Sequence, residues 1–354
     1  SMLRNHENLR SLLVALMASA PRMADAVIHR AHVMDSLIDP AFADARDYQD
    51  VIDRARILGQ EQLFLIAAGL LAGSLDAKRA GEQFTTLAEA LLLKLFDAVR
   101  SEFEKRHGVI PGAKVALLAF GKMASREMTA RSDLDFIMLY DLGTEEESNG
   151  EKPLAASQYY ARLTQRLIAA VSAPTSEGVL YQADMRLRPS GNAGPLATSL
   201  AGFNQYHHES AWTWEHLALS RARLVQADHG LGEKIDAAIA EILSRPRDAA
   251  KTIDDVLTMR ALMAKERPPR HAFDLKLARG GLIDLEFIAQ SAQLVARDTV
   301  AAPQAPTDEV LRRLGQTGLV PQGERLAEIL GIYSTVLQVM SAALADPFKD
   351  EGWT

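Results

Sequence analysis

The stretch "LLAFGKMASREMTARSDLDFIMLY", residues 117–140, decides the fold of the central part of this chain. It reads as two apolar strands that are separated by a short polar crossing. The first strand ends at Gly121, and the second opens with Asp133 and Asp135. Because residues i and i+2 of a strand point the same way, roughly 7 Å apart at Cα, the two carboxylates are predicted to lie on one face.

Helical patterns flank this stretch. Upstream, apolar residues recur at helical spacing in residues 9–17 and again in residues 84–103, where Gly108 is expected to cap the helix. Strands are predicted over 114–120, 135–140 and 178–189. A helix is predicted over 155–172, and after about residue 200 the pattern returns to helix up to the end.

The predicted fold class is therefore α+β, a small sheet block with helical regions on both sides. The expected domains are an N-terminal helical region (1–110), a catalytic core (111–200) and a C-terminal helical bundle (201–354). Ser1 and Met2 resemble a remnant of expression, which suggests a piece of a longer protein.

Composition and charge exclude several classes of protein. Of the 354 residues, 48% are apolar and 24% are charged, as in a globular protein. The net charge of −7 argues against broad nucleic-acid binding. The chain has no cysteine, which excludes disulfides and cysteine-bound zinc. No uninterrupted apolar run reaches the roughly 18 residues of a membrane span, so a cytoplasmic protein that binds neither nucleic acid nor membrane is expected.

Gly121-Lys122 after a strand invites comparison with the phosphate-binding P-loop, but the residue types do not match. That motif requires a glycine five residues before the second glycine, where this chain has Ala116, and Ser or Thr after the lysine, where it has Met123. A weaker role survives, because Gly121 would permit a tight turn and free N–H groups at the next helix start favour a phosphate. Lys122 either reaches that phosphate or faces solvent.

Two like charges on one strand need a neutralising partner. At about 5 Å and an effective dielectric near 20, two carboxylates repel by about 3 kcal/mol, so one is protonated or a cation neutralises both. Asp184 is a third acid on the strand predicted over 178–189. Oxygen ligands favour Mg²⁺ or Mn²⁺, and the three aspartates could hold two such ions about 4 Å apart. The alternative is a surface strand entry with solvated acids.

Basic and small residues around the acids form the predicted nucleotide site. The alternation of the third strand places Arg186 and Arg188 on the face of Asp184, where they could balance the acids or bind a triphosphate tail. The predicted nucleotide-binding set is Gly121, Lys122, Ser132, Arg186 and Arg188. Candidate accessory contacts are Arg221, Arg223 and Lys276.

Two further groups have an ordinary structural explanation. Trp212 and Trp214 are expected to pack in the core. Asp284 and Glu286 fall in the first turns of a predicted helix, where acids are favourable.

A glycine turn after one strand, Asp-x-Asp on the next and a third acidic strand resemble the DNA-polymerase-β-like nucleotidyltransferases. Longer strings narrow the resemblance to the glutamine synthetase adenylyltransferase family of bacterial nitrogen control. They are "GKMASREMTARSDLDFIMLYD", "DMRLRPSGNAGPLATS", "AWTWEHLALSRARLV" and "LKLARGGLIDLEFIAQ". The upstream "LMASAPRMADAVIHRAHVMDSLIDP" is similar to the helical region before that family's second catalytic half.

The resemblance implies an activity. That family carries an N-terminal half that removes AMP by phosphorolysis and a C-terminal half that transfers AMP from ATP. "RPSGNAG" and "AWTWEH" look more like the transferring half. The implied reaction is transfer of AMP to a tyrosine hydroxyl of glutamine synthetase with release of pyrophosphate. Two Mg²⁺ ions are implied, with Mn²⁺ as an alternative, and the PII signal protein and glutamine are implied regulators.

The resemblance also implies residue roles. Asp133 and Asp135 match the family's metal-binding pair, and Asp184 matches its third carboxylate, which is the candidate to assist deprotonation of the hydroxyl. The family's "GKLGG" turn is "GKMAS" in this chain, where Ala124 and Ser125 are small enough to substitute.

Other functions stay open at this point. Phosphorolytic removal of AMP would use the same site and would require phosphate. A non-catalytic module that binds PII or glutamine would leave three converging aspartates unexplained. A small-molecule nucleotidyltransferase is disfavoured by the flanking helical mass, which suits a large protein partner.

Overall fold

The computed structural model describes residues 42, 45, 47–269, 274–296 and 305–343. Within these ranges most residues are helical, and five strands form one small mixed sheet. The predicted α+β class is confirmed. The helix predicted over residues 9–17 lies outside the described residues.

Two long helices precede the sheet. Helix α1 spans Tyr48–Leu71 and helix α2 spans Ala77–His107. Aspartate side chains cap both N-termini, Asp47 for α1 and Asp76 for α2, by accepting a backbone N–H of the first turn. Helix α2 ends at Gly108, whose φ of +69° stops the helix, so the predicted C-cap is confirmed.

The sheet has the strand order β3-β2-β1-β5, and β4 pairs with β2 as well. The β1–β2 and β1–β5 pairs are antiparallel, whereas β3 and β4 run parallel to β2. The strands are β1 (Lys114–Ala119), β2 (Leu134–Asp141), β3 (Ala183–Asp184), β4 (Ala197–Ser199) and β5 (Arg223–Ala227).

Two described helices lie between the first three strands. Helix α3 (Gly121–Ala124) is a single short turn between β1 and β2. Helix α4 (Ala156–Ser172) follows β2 and packs on α2. The strands predicted over 114–120 and 135–140 and the helix predicted over 155–172 are therefore confirmed.

Two secondary-structure predictions are wrong. The strand predicted over 178–189 contains only the two residues of β3, because the Asp184 side chain accepts the Arg186 backbone N–H at 2.9 Å and the chain turns there. The all-helical prediction after residue 200 missed β5, which pairs with β1 and extends the sheet block beyond the predicted boundary.

Among the described residues of the C-terminal half, seven helices accompany the strand β5. Helices α5 to α7 pack with the second face of the sheet, while α9, α10 and α11 share a separate apolar cluster. They are α5 (Leu200–Glu209), α6 (Thr213–Leu219), α7 (Leu231–Ser244), α8 (Ala249–Glu266), α9 (Leu282–Val295), α10 (Thr307–Gln316) and α11 (Gly323–Ala343).

Helix α11 returns to the sheet block. Gln338 Nε2 donates to the Met128 carbonyl at 2.8 Å, and Arg131 Nε donates to the Ser341 carbonyl at 3.2 Å. By length and composition alone this helix could cross a membrane, although charged residues interrupt its apolar sequence. Core helices of globular proteins pass the same test, and α11 packs on α1, α2 and α10.

Candidate active site

The end of β1 lies against the start of β2, and a glycine makes this approach possible. Phe120 N donates to the Asp135 carbonyl at 2.8 Å. Gly121 follows with a φ of +53° and begins α3. A Cβ atom at Gly121 would lie 2.5 Å from Asp135 Oδ2. The position therefore requires glycine for its φ and for the space beside the carboxylate.

The structure brings the three predicted acids to one edge of the sheet. The parallel register of β2 and β3 places Asp135 opposite Asp184. Leu134 N fixes this register by donating to the Gln182 carbonyl at 2.8 Å. Asp133 immediately precedes β2, two residues before Asp135, so strand alternation directs both to the same side.

The electrostatics of the three carboxylates differ. Burial first, and then the charges of Asp184 and Asp133, raise the pKa of Asp135 to about 6. The pKa of Asp133 is also raised, first by partial burial and then by Asp184. In contrast, hydrogen bonds from Arg186 lower the pKa of Asp184. The repulsion expected from the sequence is therefore present, and one of the three acids has a cationic partner.

Arg186 is the partner of Asp184. Its Nε atom lies 2.8 Å from Oδ2 and 3.0 Å from Oδ1, and a guanidinium nitrogen also contacts Oδ2. The Arg186 side chain is 61% exposed, so the guanidinium can rotate toward solvent or a ligand. The predicted contact between Arg186 and a nucleotide stays a prediction.

The pair Asp133 and Asp135 fits a divalent cation. Among the described residues, no side chain or backbone group donates a hydrogen bond to either carboxylate. No cluster of three His, Asp or Glu side chains is preformed as a metal site within the described ranges. In this arrangement the oxygens of Asp184 face Arg186 instead. Two unpartnered carboxylates with raised pKa values are oxygen ligands that Mg²⁺ or Mn²⁺ would neutralise.

Ser132 and Lys122 occupy supporting positions. Ser132 Oγ accepts the Thr129 backbone N–H at 2.9 Å and so shapes the loop that leads into Asp133. Lys122 is half-buried in α3, and burial followed by the charge of Lys276 lowers its pKa. The nucleotide contacts predicted for Ser132 and Lys122 stay predictions.

Arg188 does not share a strand face with Asp184, contrary to the sequence-based expectation. The side chain is buried, and its Nη1 atom donates to the Met185 carbonyl at 2.8 Å. Its Nε atom lies 3.5 Å from the Gly194 carbonyl oxygen. Arg188 therefore holds the loop after β3 together, and its predicted nucleotide contact stays a prediction.

The accessory arginines have different surroundings. Arg223 Nε donates to the Ala124 carbonyl at 3.0 Å, and its Nη2 atom contacts Met123 O and the carboxylate of Glu89. These contacts fasten β5 to α3 and α2. Arg221 Nη1 lies 3.3 Å from Glu286 Oε1 on α9, so this arginine joins α9 to the sheet block.

Two cavities flank the glycine turn. One, of about 480 Å³, lies between α2, α3, α10 and α11, and Lys122 is among its lining residues. The other, of about 360 Å³, is lined by Gly121 and by Lys276. The positive charge of Lys276 lowers the pKa of both Asp133 and Asp135, which places this accessory lysine within electrostatic reach of the acids.

Sequence reasoning missed the role of Glu286. Asp284 behaves as expected for an acid at a helix start, because it accepts the Gly280 N–H at 2.6 Å. Glu286 instead pairs with Arg221 and lines both cavities. Residues i and i+2 of a helix do not face the same way, and this spacing was the available signal that the two acids differ.

The tryptophan prediction is wrong for Trp212, which is 70% exposed. Trp214 is half-buried and lines the smaller cavity.

The family model of glutamate-ammonia ligase adenylyltransferase matches residues 10–238. The chain belongs to the glutamate-ammonia ligase adenylyltransferase family. A second model, of the GlnD PII-uridylyltransferase, matches residues 257–335, which include α9 and α10. The family predicted from the sequence motifs is thereby confirmed.

The curated relatives carry the name bifunctional glutamine synthetase adenylyltransferase/adenylyl-removing enzyme. The protein of Brucella suis is 47% identical over 366 residues, which cover 98% of this chain and 37% of the relative. Those of Mesorhizobium japonicum and Rhizobium meliloti are 46% and 43% identical, covering 99% and 98% of this chain and 37% and 38% of the relatives. The chain thus spans less than two fifths of the adenylyltransferases that it matches.

Proposed function

We propose that this chain transfers AMP from ATP to a tyrosine hydroxyl of glutamine synthetase and releases pyrophosphate. The observation that carries the proposal is the unpartnered carboxylate pair, Asp133 and Asp135, beside the tight turn at Gly121. The name of the relatives supplies the acceptor protein and the group transferred. The absence of cysteine suits a reducing compartment, so a cytoplasmic location is part of the proposal.

In the proposed step, the tyrosine oxygen attacks the α-phosphorus of ATP. A new bond forms between that oxygen and the phosphorus, and the bond between the α-phosphorus and the oxygen bridging to the β-phosphate breaks. Pyrophosphate takes the electron pair of the broken bond, and the hydroxyl proton passes to a carboxylate or to solvent. Gly121 leaves room for the Asp135 carboxylate at the turn, and this carboxylate would position the reacting phosphate.

Asp133, Asp135 and Asp184 would hold the divalent ions, with Mg²⁺ expected and Mn²⁺ as the alternative. When bound, such ions withdraw charge from the phosphate oxygens and favour deprotonation of the attacking hydroxyl. Asp184 is a weak proton acceptor while Arg186 is bound to it, because those hydrogen bonds lower its pKa. If Arg186 rotates onto the triphosphate, it binds an anion of higher charge and leaves Asp184 free to join the other two acids.

A second candidate function is removal of AMP from glutamine synthetase by phosphorolysis. The name of the relatives includes an adenylyl-removing activity, and this chain covers only part of those proteins. The part that it covers could therefore be the one that removes AMP. The same carboxylates would serve it, with inorganic phosphate as the nucleophile and ADP as the product. The PII protein and glutamine are proposed regulators of either activity.

The test is incubation of the chain with glutamine synthetase, Mg²⁺ and ATP labelled at the α-phosphate. Transfer predicts label on a tyrosine and its loss in Asp133→Asn. Glu145→Gln is the matched control, because Glu145 is an exposed carboxylate in the loop after β2 and should leave the labelling unchanged.

Each other outcome has a meaning. Phosphate-dependent release of ADP from adenylylated glutamine synthetase, without labelling from ATP, would replace transfer by removal. If neither reaction occurs and the chain still binds PII or glutamine, both proposed activities are wrong and the chain is a regulatory module.

A further inference from the structure

The smaller cavity beside the glycine turn has the size of a small-molecule site. Its volume is about 360 Å³, and such sites usually have roughly 300–1,000 Å³. It lies between α6, α8 and α9, and Gly121 is at its border with the sheet block. A ligand that fills the cavity would therefore reach the place where Asp135 approaches the turn.

The inner wall of the cavity is aromatic, aliphatic and thioether in character. Trp214 and Leu217 contribute from α6, Met259 and Met263 from α8, and Phe287 from α9. Aromatic rings stack on flat heterocycles, and methionine adapts its shape to them with favourable sulfur–ring contacts. A wall of this composition suits a planar, weakly polar group such as a nucleobase.

Cationic side chains line the same cavity. Lys276, Arg221 and Arg267 all contribute to it. Lys276 acts electrostatically on both Asp133 and Asp135, so its ammonium group marks the side of the cavity that faces the carboxylates. Arg221 is held by Glu286, and the Gln290 amide oxygen, in its favourable orientation, accepts from Arg221 Nε at 2.8 Å.

We propose that this cavity binds the base of the nucleotide substrate, with the ring against Trp214 and the α8 methionines and the phosphates directed toward Lys276 and Gly121. The proposal rests on the proposed function in one respect, that the substrate is a nucleoside triphosphate. An apolar pocket could also receive the tyrosine ring of the acceptor protein. The cations favour the nucleotide, because they would meet phosphate groups and a tyrosine has none.

The cavity is lined by residues from two segments of the chain that match different family models. Trp214 lies in the segment matched by the adenylyltransferase family model, whereas Met259 and Met263 lie in the segment matched by the second model. The cavity thus sits where the two segments meet. The sheet block supplies the carboxylates, and the helices α6 and α8 select the base.

The experiment measures binding by calorimetry on the whole chain with Mg²⁺ present. The probes are ATP and inorganic tripolyphosphate, which carries the same phosphates without a base. Trp214→Ala should weaken ATP binding about five- to 100-fold, the range of a base stacked on an aromatic side chain. Met259→Ala should weaken it about two- to tenfold, the range of a sulfur–ring contact. Tripolyphosphate binding should change less than about twofold, because its contacts are purely electrostatic.

Leu257→Ala is the matched control. Leu257 lies on the opposite side of α8 from Met259 and is 63% exposed, so this variant should bind ATP like the unchanged chain. Met259→Leu, which keeps the volume and lacks the sulfur, should retain most of the affinity. Circular dichroism on each variant reports whether α8 is still folded.

The outcomes separate this proposal from the proposed function. ATP binding that ignores Met259→Ala and Trp214→Ala in folded protein overturns the base site, even if AMP transfer is observed. An equal loss of ATP and tripolyphosphate binding overturns it too, as does failure of the unchanged chain to bind ATP. ATP binding that depends on these side chains, without AMP transfer, supports the base site and counts against the transfer reaction alone.

Discussion

At the scale of single residues, Gly121 joins the fold to the site. Its φ of +53° turns the chain out of β1, and its missing side chain leaves room for the Asp135 carboxylate. The two demands differ in kind, since one is a backbone conformation and the other is a distance. A second glycine in the chain, Gly73, has a φ of +73° with nothing near the place of a Cβ atom. Gly73 therefore shares the positive φ of Gly121 without its close neighbour, so the backbone requirement and the space requirement can be tested separately.

Gly73→Ala should cost about 1–2 kcal/mol of unfolding free energy, from backbone strain alone. Gly121→Ala should cost more, because the new methyl group displaces the Asp135 carboxylate. AMP transfer should then fall about 100-fold, as expected for a misplaced reacting group. Urea unfolding and the labelling assay measure the two effects. Equal behaviour of both variants would show that the space beside Asp135 is unimportant.

At the scale of elements, Arg223 decides how β5 meets the catalytic turn. Its guanidinium binds the carbonyls of Met123 and Ala124 at the end of α3, and it pairs with Glu89 on α2. The side chains of Arg223 and Glu89 are mostly removed from solvent. One arginine thus binds two carbonyls at the end of a helix, and it fixes the position of α3 relative to the sheet.

Arg223→Ala should lower the free energy of unfolding by about 2–4 kcal/mol, since it leaves the half-buried Glu89 carboxylate and the Ala124 carbonyl without a partner. Arg325→Ala is the comparison, because Arg325 pairs with Glu328 at the surface and should cost at most about 1 kcal/mol. Chemical denaturation of the two variants decides between them. A similar, small loss of unfolding free energy in both variants would show that Arg223 does not hold α3 against the sheet.

The elements differ in how well the sequence predicts them. The strands β1 and β2 were predictable because their apolar runs are continuous and bounded by turn residues. The strand after residue 178 was not, because the Asp184 side chain accepts the Arg186 backbone N–H and the resulting turn overrides the alternating pattern. The strand β5 was missed because only three residues separate its five residues from α6 and all five are only half-buried.

The site was predictable for similar reasons and only in part. Strand spacing predicted that three acids lie close together, namely Asp133, Asp135 and Asp184. The register of β2 and β3 preserves this arrangement. The pairing of Glu286 with Arg221 joins residues that are 65 positions apart, and no local pattern specifies such a contact. No local pattern specifies the cavity wall either, because its side chains come from three helices that are far apart in the sequence.

At the scale of the whole molecule, buried histidines couple stability to pH. His207 on α5 is only 4% exposed, and burial lowers its pKa to about 3. Burial also lowers the pKa of His216, on α6, to about 4. His216 Nε2 lies 3.1 Å from the His207 carbonyl oxygen, and Arg245 and Arg247 add positive charge near it. Both rings are therefore neutral in the folded chain.

The sign of the pH dependence follows from these values. Unfolded histidine has a pKa of about 6.5, so between about pH 6.5 and pH 3 the unfolded chain binds more protons and stability falls as the pH falls. Asp135 acts in the opposite direction, because its folded pKa of about 6 lies above its unfolded value. The two histidines lose more than Asp135 gains, and these three groups together should lower stability by about 3 kcal/mol from pH 7 to pH 4.5. Burial also raises the pKa of Asp133 and of Glu127, which makes the loss for the whole chain smaller than this sum.

Urea unfolding at several pH values measures this slope. His207→Gln should remove about 2 kcal/mol of the acid-induced loss, whereas His229→Gln, at an exposed position, should leave it unchanged. An acid-induced loss that is the same in His207→Gln and the unchanged chain would contradict the burial argument.

The central claim is that Asp133 and Asp135 hold a divalent cation at the edge of β2. Its most direct test is the binding of Mn²⁺, followed by electron paramagnetic resonance, in the presence of ATP. Asp135→Asn should weaken Mn²⁺ binding at least about tenfold, because it removes a charged ligand. Asp141→Asn, at the other end of the same strand and paired with Lys234, should bind like the unchanged chain. Equal Mn²⁺ affinity in Asp135→Asn and the unchanged chain would contradict the claim.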